Sequence, residues 1–219
     1  MKNMYRVGAG ACLFFILAQI FQRWVFTEVP LGSEPATQLV NLGSDLHVFR
    51  SCAILLSLFF LTIPFAVIAY QMNHPVIRIL VMVFFAFFVV FEIGYRSVEL
   101  FVIQLHWSDD ADSAATVTRF LLFDQAVTAL YFPLLVSHGI ASGLAAWAVP
   151  FRGSDRWLKF ALGWNAVRLA LRTIGMFAGV AWMNWLTGKN YFISILVVFI
   201  PMTVWFFLKS REGKTEGNA

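Results

Sequence analysis

The chain has 219 residues, 60% of them hydrophobic and only 13% charged, with a net charge of +4. A soluble domain carries roughly 25% charged residues, so this balance, with a mean hydropathy of +0.75, points away from an ordinary water-soluble fold. The basic residues flank apolar runs instead of forming a patch, which gives no nucleic-acid signal.

A membrane-crossing helix needs about 20 mostly apolar residues. Six candidate spans follow in order: 7–26, 47–70, 77–106, 117–149, 158–183 and 191–208. The expected fold is an all-α transmembrane bundle forming one domain over 1–209, with a polar tail over 210–219. Lys2 and Arg6 before the first apolar run suit a signal peptide. The run continues to Phe26 without an A-x-A-like site, so it is read as a retained helix. The third and fourth spans exceed a bilayer's thickness and are expected to tilt or project. Breakers mark the connections: Pro30, Gly32 and Pro35, then Asn73-His74-Pro75, then Pro150 and Gly153, then Gly188. Pro64, Pro133 and Pro201 lie within spans, where kinks are tolerated.

Placing the N-terminus inside puts Lys2, Arg6, Arg78, Arg152, Arg156, Lys159, Lys209, Arg211 and Lys214 on the inner side and Lys189 alone outside. This bias predicts cytoplasmic termini in a multi-pass protein of the bacterial inner membrane. The outer loops carry Glu28, Glu34, Asp45, Asp109, Asp110 and Asp112. Cys12 and Cys52 lie within spans and read as small buried residues. Trp24, Trp107, Trp157, Trp182, Trp185 and Trp205 fall near span ends, as in an aromatic belt.

Charges inside the apolar runs carry the functional signal. Glu92, Arg96 and Glu99 stand at i, i+4 and i+7, one stripe of a helix. On the fourth span Asp124, Thr128, Tyr131, His138 and Ser142 share a face, with Gln125 beside Asp124. The fifth span presents Asn165, Arg168 and Arg172, the first Gln19, Gln22 and Arg23, and the second His47 and Arg50. Most of these lie at the midplane or in the outer half, which suggests a cavity open to the non-cytoplasmic side. Six arginines (Arg23, Arg50, Arg96, Arg119, Arg168, Arg172) face three acids (Glu92, Glu99, Asp124). Arginine stays charged in essentially every environment, so the surplus needs an answer. Arg23, Arg50 and Arg119 are expected to snorkel to the headgroups. Glu92–Arg168, Glu99–Arg96 and Asp124–Arg172 are the expected pairs if the charges only fix helix register.

Three functions suit this pattern. The first is a binding protein for a small anionic or amphipathic, lipid-like ligand. Arg96, Arg168 and Arg172 would grip the anion, with Glu92, Glu99, Asp124, Gln125, Tyr131, Asn165 and Arg50 around it; the planar guanidinium suits phosphate and carboxylate. The second is an intramembrane enzyme using Glu92 or Asp124 as acid or base on a lipophilic substrate. The third is a transporter, although no inverted repeat is visible. The expected partners are membrane lipids and that ligand. His47, His74, His106 and His138 make no HxxxH or HExxH spacing, and no metal cluster is expected. A haem held by histidines of different helices is an alternative for the cofactor, which the residues leave open. Gly139 with Gly143, and Gly175 with Gly179, read as close-packing positions.

Three short phrases, Val48-Phe49-Arg50, Tyr95-Arg96-Ser97-Val98-Glu99 and Gly153-Ser154-Asp155-Arg156-Trp157-Leu158, sit where similar phrases occur in a bacterial family. On them the chain resembles the domain of unknown function 4386 family of six-helix membrane proteins. The resemblance would span most of the chain, and it implies a fold, not an activity.

Overall fold

The computed structural model describes residues 2–212, apart from the side chain of Lys189. The expected polar tail beyond Glu212 lies outside the described residues. Residues 210–212, which were expected in that tail, continue the last helix. Among the described residues the fold is all-helical: α1 (Lys2–Glu28), α2 (Pro35–Leu42), α3 (Asp45–Tyr70), α4 (Pro75–Val98), α5 (Ala114–Ala148), α6 (Asp155–Phe177), α7 (Ala181–Lys189) and α8 (Tyr191–Glu212). α4 runs on as a π-helical segment, Glu99–Trp107, and a 3-10 turn, Ser108–Asp110. α1, α3, α4 with its extension, α5 and α8 are long and apolar enough to cross a membrane. α6 has the length, at 23 residues, but is not apolar enough to qualify on composition.

Lipid tails are as apolar as leucine, so close van der Waals fit must hold the helices together. Small residues provide it. Gly8 of α1 lies under the Phe206 ring of α8, where a Cβ would stand 2.5 Å from the ring. Ala9, Ala11, Cys12 and Ala18 are buried on the same helix. Phe15 and Phe199 meet at 4.5 Å between ring centroids. Cys52, unlike Cys12, is exposed. Gly139 and Gly143 of α5 face Leu169 and Ala166 of α6, as packing positions should.

Both ends of the described residues reach one end of the bundle, here the lower end. Tyr5 packs edge-on against Trp205 at 5.8 Å, and Lys209 pairs with Asp155 at 3.1 Å. Trp205 is no belt residue: it is buried, and its indole N–H donates to Asp155 at 2.8 Å. The outward-facing tryptophans include Trp24, Trp157, Trp182 and Trp185.

The upper end departs most from expectation. Pro35 opens α2, eight residues of helix where only a loop was expected. The expected fifth span, 158–183, breaks after Phe177. Gly179, at φ +69°, makes the turn and is not a packing glycine. α7 then folds back on α6, so tightly that a Cβ on Gly175 would stand 2.5 Å from the Asn184 amide nitrogen.

The two sides of the bundle differ in height. At 1.5 Å per residue the 35 residues of α5 span about 52 Å and the 23 of α6 about 35 Å. α5 and α6 run antiparallel, with Phe132 against Phe177 at their upper contact. Above it, residues 114–131 of α5 rise roughly 27 Å further.

Candidate functional site

All eight helices, with α2 and the π segment as rim, contribute to the wall of a cavity of about 500 Å³. Its lower part is apolar, lined by Phe15, Leu58, Leu61, Phe88, Leu135 and Phe199. Its upper part carries Arg50, Glu92, Arg96, Glu99 and Asp124, while Arg168 and Arg172 line it lower down, beside those apolar side chains. The three arginines expected to meet, Arg96, Arg168 and Arg172, thus line one chamber, together with Tyr131. The volume falls within the range of roughly 300–1,000 Å³ usual for ligand sites.

The α4 stripe is internally compensated. Arg96 donates from Nε to Glu92 at 3.1 Å and from Nη1 to Glu99 at 2.8 Å. Its guanidinium also covers the Tyr95 ring at 4.8 Å. Glu99 is the first residue of the π segment, whose wider turn changes the direction of the side chains above Val98. There it accepts a second charged bond, from Nη2 of Arg50 on α3. Arg50 therefore does not snorkel. It is 1% exposed, against Glu99 on one side and the Phe26 ring on the other. A charge this far from water requires such a partner. Among the described residues, Nε and Nη1 of Arg50 have no partner, nor do the buried Gln22 Oε1, Gln104 Oε1 and His47 Nδ1 near this end.

The α6 arginines are different. Arg168 donates from Nε to Asn165 Oδ1 at 2.9 Å, and its terminal nitrogens find no acceptor among the described residues. Arg172 donates from Nη1 to Asn184 Oδ1 of α7 at 2.7 Å. Neither meets a carboxylate among the described residues, so the expected pairs Glu92–Arg168 and Asp124–Arg172 do not form; Glu99–Arg96 does, within one chain segment. The packing register explains the second absence. Phe132 meets Phe177 and Gly139 faces Leu169. Arg172 is therefore level with the turn of α5 near Ser137, about 20 Å below Asp124.

Asp124 stays at the mouth, exposed yet lining the cavity. Gln125 points away from it and is exposed, so it is not part of this wall. Asn165 does not line the cavity either; it is buried behind Arg168 and holds it. Arg23 and Arg119 are exposed outside the chamber. The expected surplus of three positive charges therefore falls to one within the cavity wall: four arginines against three acids.

His138 lines the cavity at the level of Arg168, and Asn165 Nδ2 donates to its Nε2 at 2.9 Å. His47 is buried, with Nε2 donating to the Val29 carbonyl at 2.8 Å. Among the described residues no group of three His, Cys, Asp or Glu could hold a metal ion. Residue pattern alone did not mark Tyr95, Asn184 or Tyr191. The first two contact site arginines, and the Tyr191 ring lies 6.0 Å from the Arg168 guanidinium. Tyr95 was signalled only by its place beside Arg96, and Asn184 and Tyr191 carried no signal because the break after Phe177 was not expected. Comparison of the chain with protein-family models, curated proteins and solved structures finds no match.

Proposed function

We propose that this is a multi-pass protein of a bacterial inner membrane that binds a small anionic or amphipathic, lipid-like ligand in the cavity. In this reading α6 is a sixth crossing, both termini are cytoplasmic, and the cavity opens to the non-cytoplasmic side. One observation carries the reading: the deepest cations of the chamber, Arg168 and Arg172, have no carboxylate, while Glu92 and Glu99 are already bound by Arg96 and Arg50. An anion is the partner these two guanidinium groups lack, and the apolar lower wall suits a hydrocarbon part. The position of both chain ends on one face, with Arg6, Arg78, Arg152 and Arg156 toward the same end, supports the orientation.

Mass spectrometry of molecules that co-purify in mild detergent tests the reading. A stoichiometric anionic amphiphile on the wild type, lost from an Arg168→Gln/Arg172→Gln variant, is the expected outcome. Identical lipid content in the two proteins would remove the proposal.

A second reading rests on Asp124, a carboxylate at the cavity mouth with no cation partner among the described residues. It would serve as acid or base on a lipophilic substrate, a role for which Glu92, occupied by Arg96, is less suited. Product formation by the wild type from a substrate so identified, abolished in Asp124→Asn, would favour the enzyme.

A further inference from the structure

The floor of the cavity holds a hydrogen-bonded chain whose proton positions can be derived. Arg168 has only donors, and its Nε lies 2.9 Å from Asn165 Oδ1. The reverse orientation of the amide would set N–H against N–H, so Oδ1 must face the arginine. Asn165 Nδ2 then faces His138 Nε2 at 2.9 Å and Ser142 Oγ at 2.8 Å. Because Nδ2 only donates, Nε2 of His138 must be the bare, accepting nitrogen. An imidazolium would oppose one N–H to another beside the Arg168 charge. The ring is therefore neutral and carries its proton on Nδ1.

The ring cannot turn freely. It stacks on Phe88 at 4.0 Å and 27°, and meets Phe65 and Phe85 edge-on, each at 5.8 Å. The residue is 5% exposed and lines the cavity. Nδ1 has no partner among the described residues, and it is not among the sealed, unpartnered atoms. The exposure that remains to it is toward the chamber.

We propose that His138 contacts the ligand: its Nδ1–H, fixed in that tautomer by Asn165, donates to an anionic oxygen held by Arg168. The ligand class is an amphiphile or small ion bearing a phosphate or carboxylate. This rests on the anion-binding reading above and adds a neutral, directional donor to it. Asn165 is a positioning residue that sets Arg168 and His138 together.

The test uses full-length protein in detergent, with ¹⁵N-labelled histidine and dodecyl phosphate as probe. The His138 signals are assigned by their loss in His138→Phe. The expected spectrum shows a protonated Nδ1 and a bare Nε2, and the Nδ1–H resonance moves when dodecyl phosphate binds. A protonated Nε2 would overturn the proposal without any variant having to fold. His138→Phe, which keeps the ring stack, should bind the probe about tenfold more weakly. Unchanged binding by that variant, with an unmoved Nδ1–H in the wild type, would overturn the contact and leave the anion reading standing. Absence of binding by the wild type would overturn both. Inorganic phosphate, run in parallel, separates the sources. The same resonance shift with phosphate alone supports the contact and assigns a water-borne anion, whereas a shift only with dodecyl phosphate assigns a lipid.

Discussion

Arg50 and Glu99 stand 49 residues apart in the chain and form a buried ion pair that joins α3 to the start of the π segment. Removing Glu99 leaves the buried Arg50 without a carboxylate, which typically costs about 3–5 kcal/mol, whereas removing Arg50 leaves Glu99 on Arg96. Glu99→Leu alone should lower the thermal midpoint in detergent sharply, and Arg50→Met alone should lower it less. The double variant should recover most of the loss, because Arg96 keeps Glu92 as its partner. Additive losses in the double variant would show that the pair is not a coupled unit.

Charge alone should not satisfy the site at Arg168. Arg168→Lys keeps a cation but gives up the planar fork and the Nε bond to Asn165. Retention of the co-purifying anion should fall nearly as far as in Arg168→Gln. Full retention by the lysine variant would mean that a point charge suffices.

The fold-back of α7 hangs on the absence of a side chain at residue 175. Gly175→Val would drive a Cβ into the Asn184 backbone. Overpacking of this kind costs about 1–3 kcal/mol. The expected readout is faster amide exchange across Ala181–Lys189, together with loss of the Arg172–Asn184 bond. Exchange confined to its wild-type rate would show that α7 can shift without opening.

Orientation is open to direct measurement. Cysteines placed at the exposed positions Ser33 and Arg152, on opposite ends of the bundle, should differ in reaction with an impermeant thiol reagent on intact cells. In a Cys12→Ala/Cys52→Ala background, Ser33→Cys should label and Arg152→Cys should not. The reverse result would invert the topology.

The chamber was legible because its charges repeat at helical spacing. Glu92, Arg96 and Glu99 on one helix, and Arg168 and Arg172 on another, had to face inward wherever the bundle placed them. Which charge meets which was not legible. Arg50 sits near a span end, where escape to headgroups is ordinary; only the Glu99 carboxylate, reached through the π turn, keeps it inside. Asp124 and Arg172 looked near enough to pair because both spans were measured from the same bilayer. The antiparallel register of α5 and α6, set by Gly139, Gly143 and Phe132, separates them. The break at Phe177 hid in an unbroken apolar stretch, whereas the start of α2 carried an unused signal, proline at its first turn.

The unequal heights of α5 and α6 have a consequence for the surrounding lipid. Hydrocarbon about 30 Å thick matches the short flank, where Trp182 and Trp185 of α7 face outward, but leaves the tall flank standing in water. A bilayer a few ångström thicker would submerge the short flank first. The cavity wall beside α7 and Tyr191 would then meet acyl chains instead of the aqueous phase. Membrane thickness would thereby decide whether guests arrive from solution or from the leaflet.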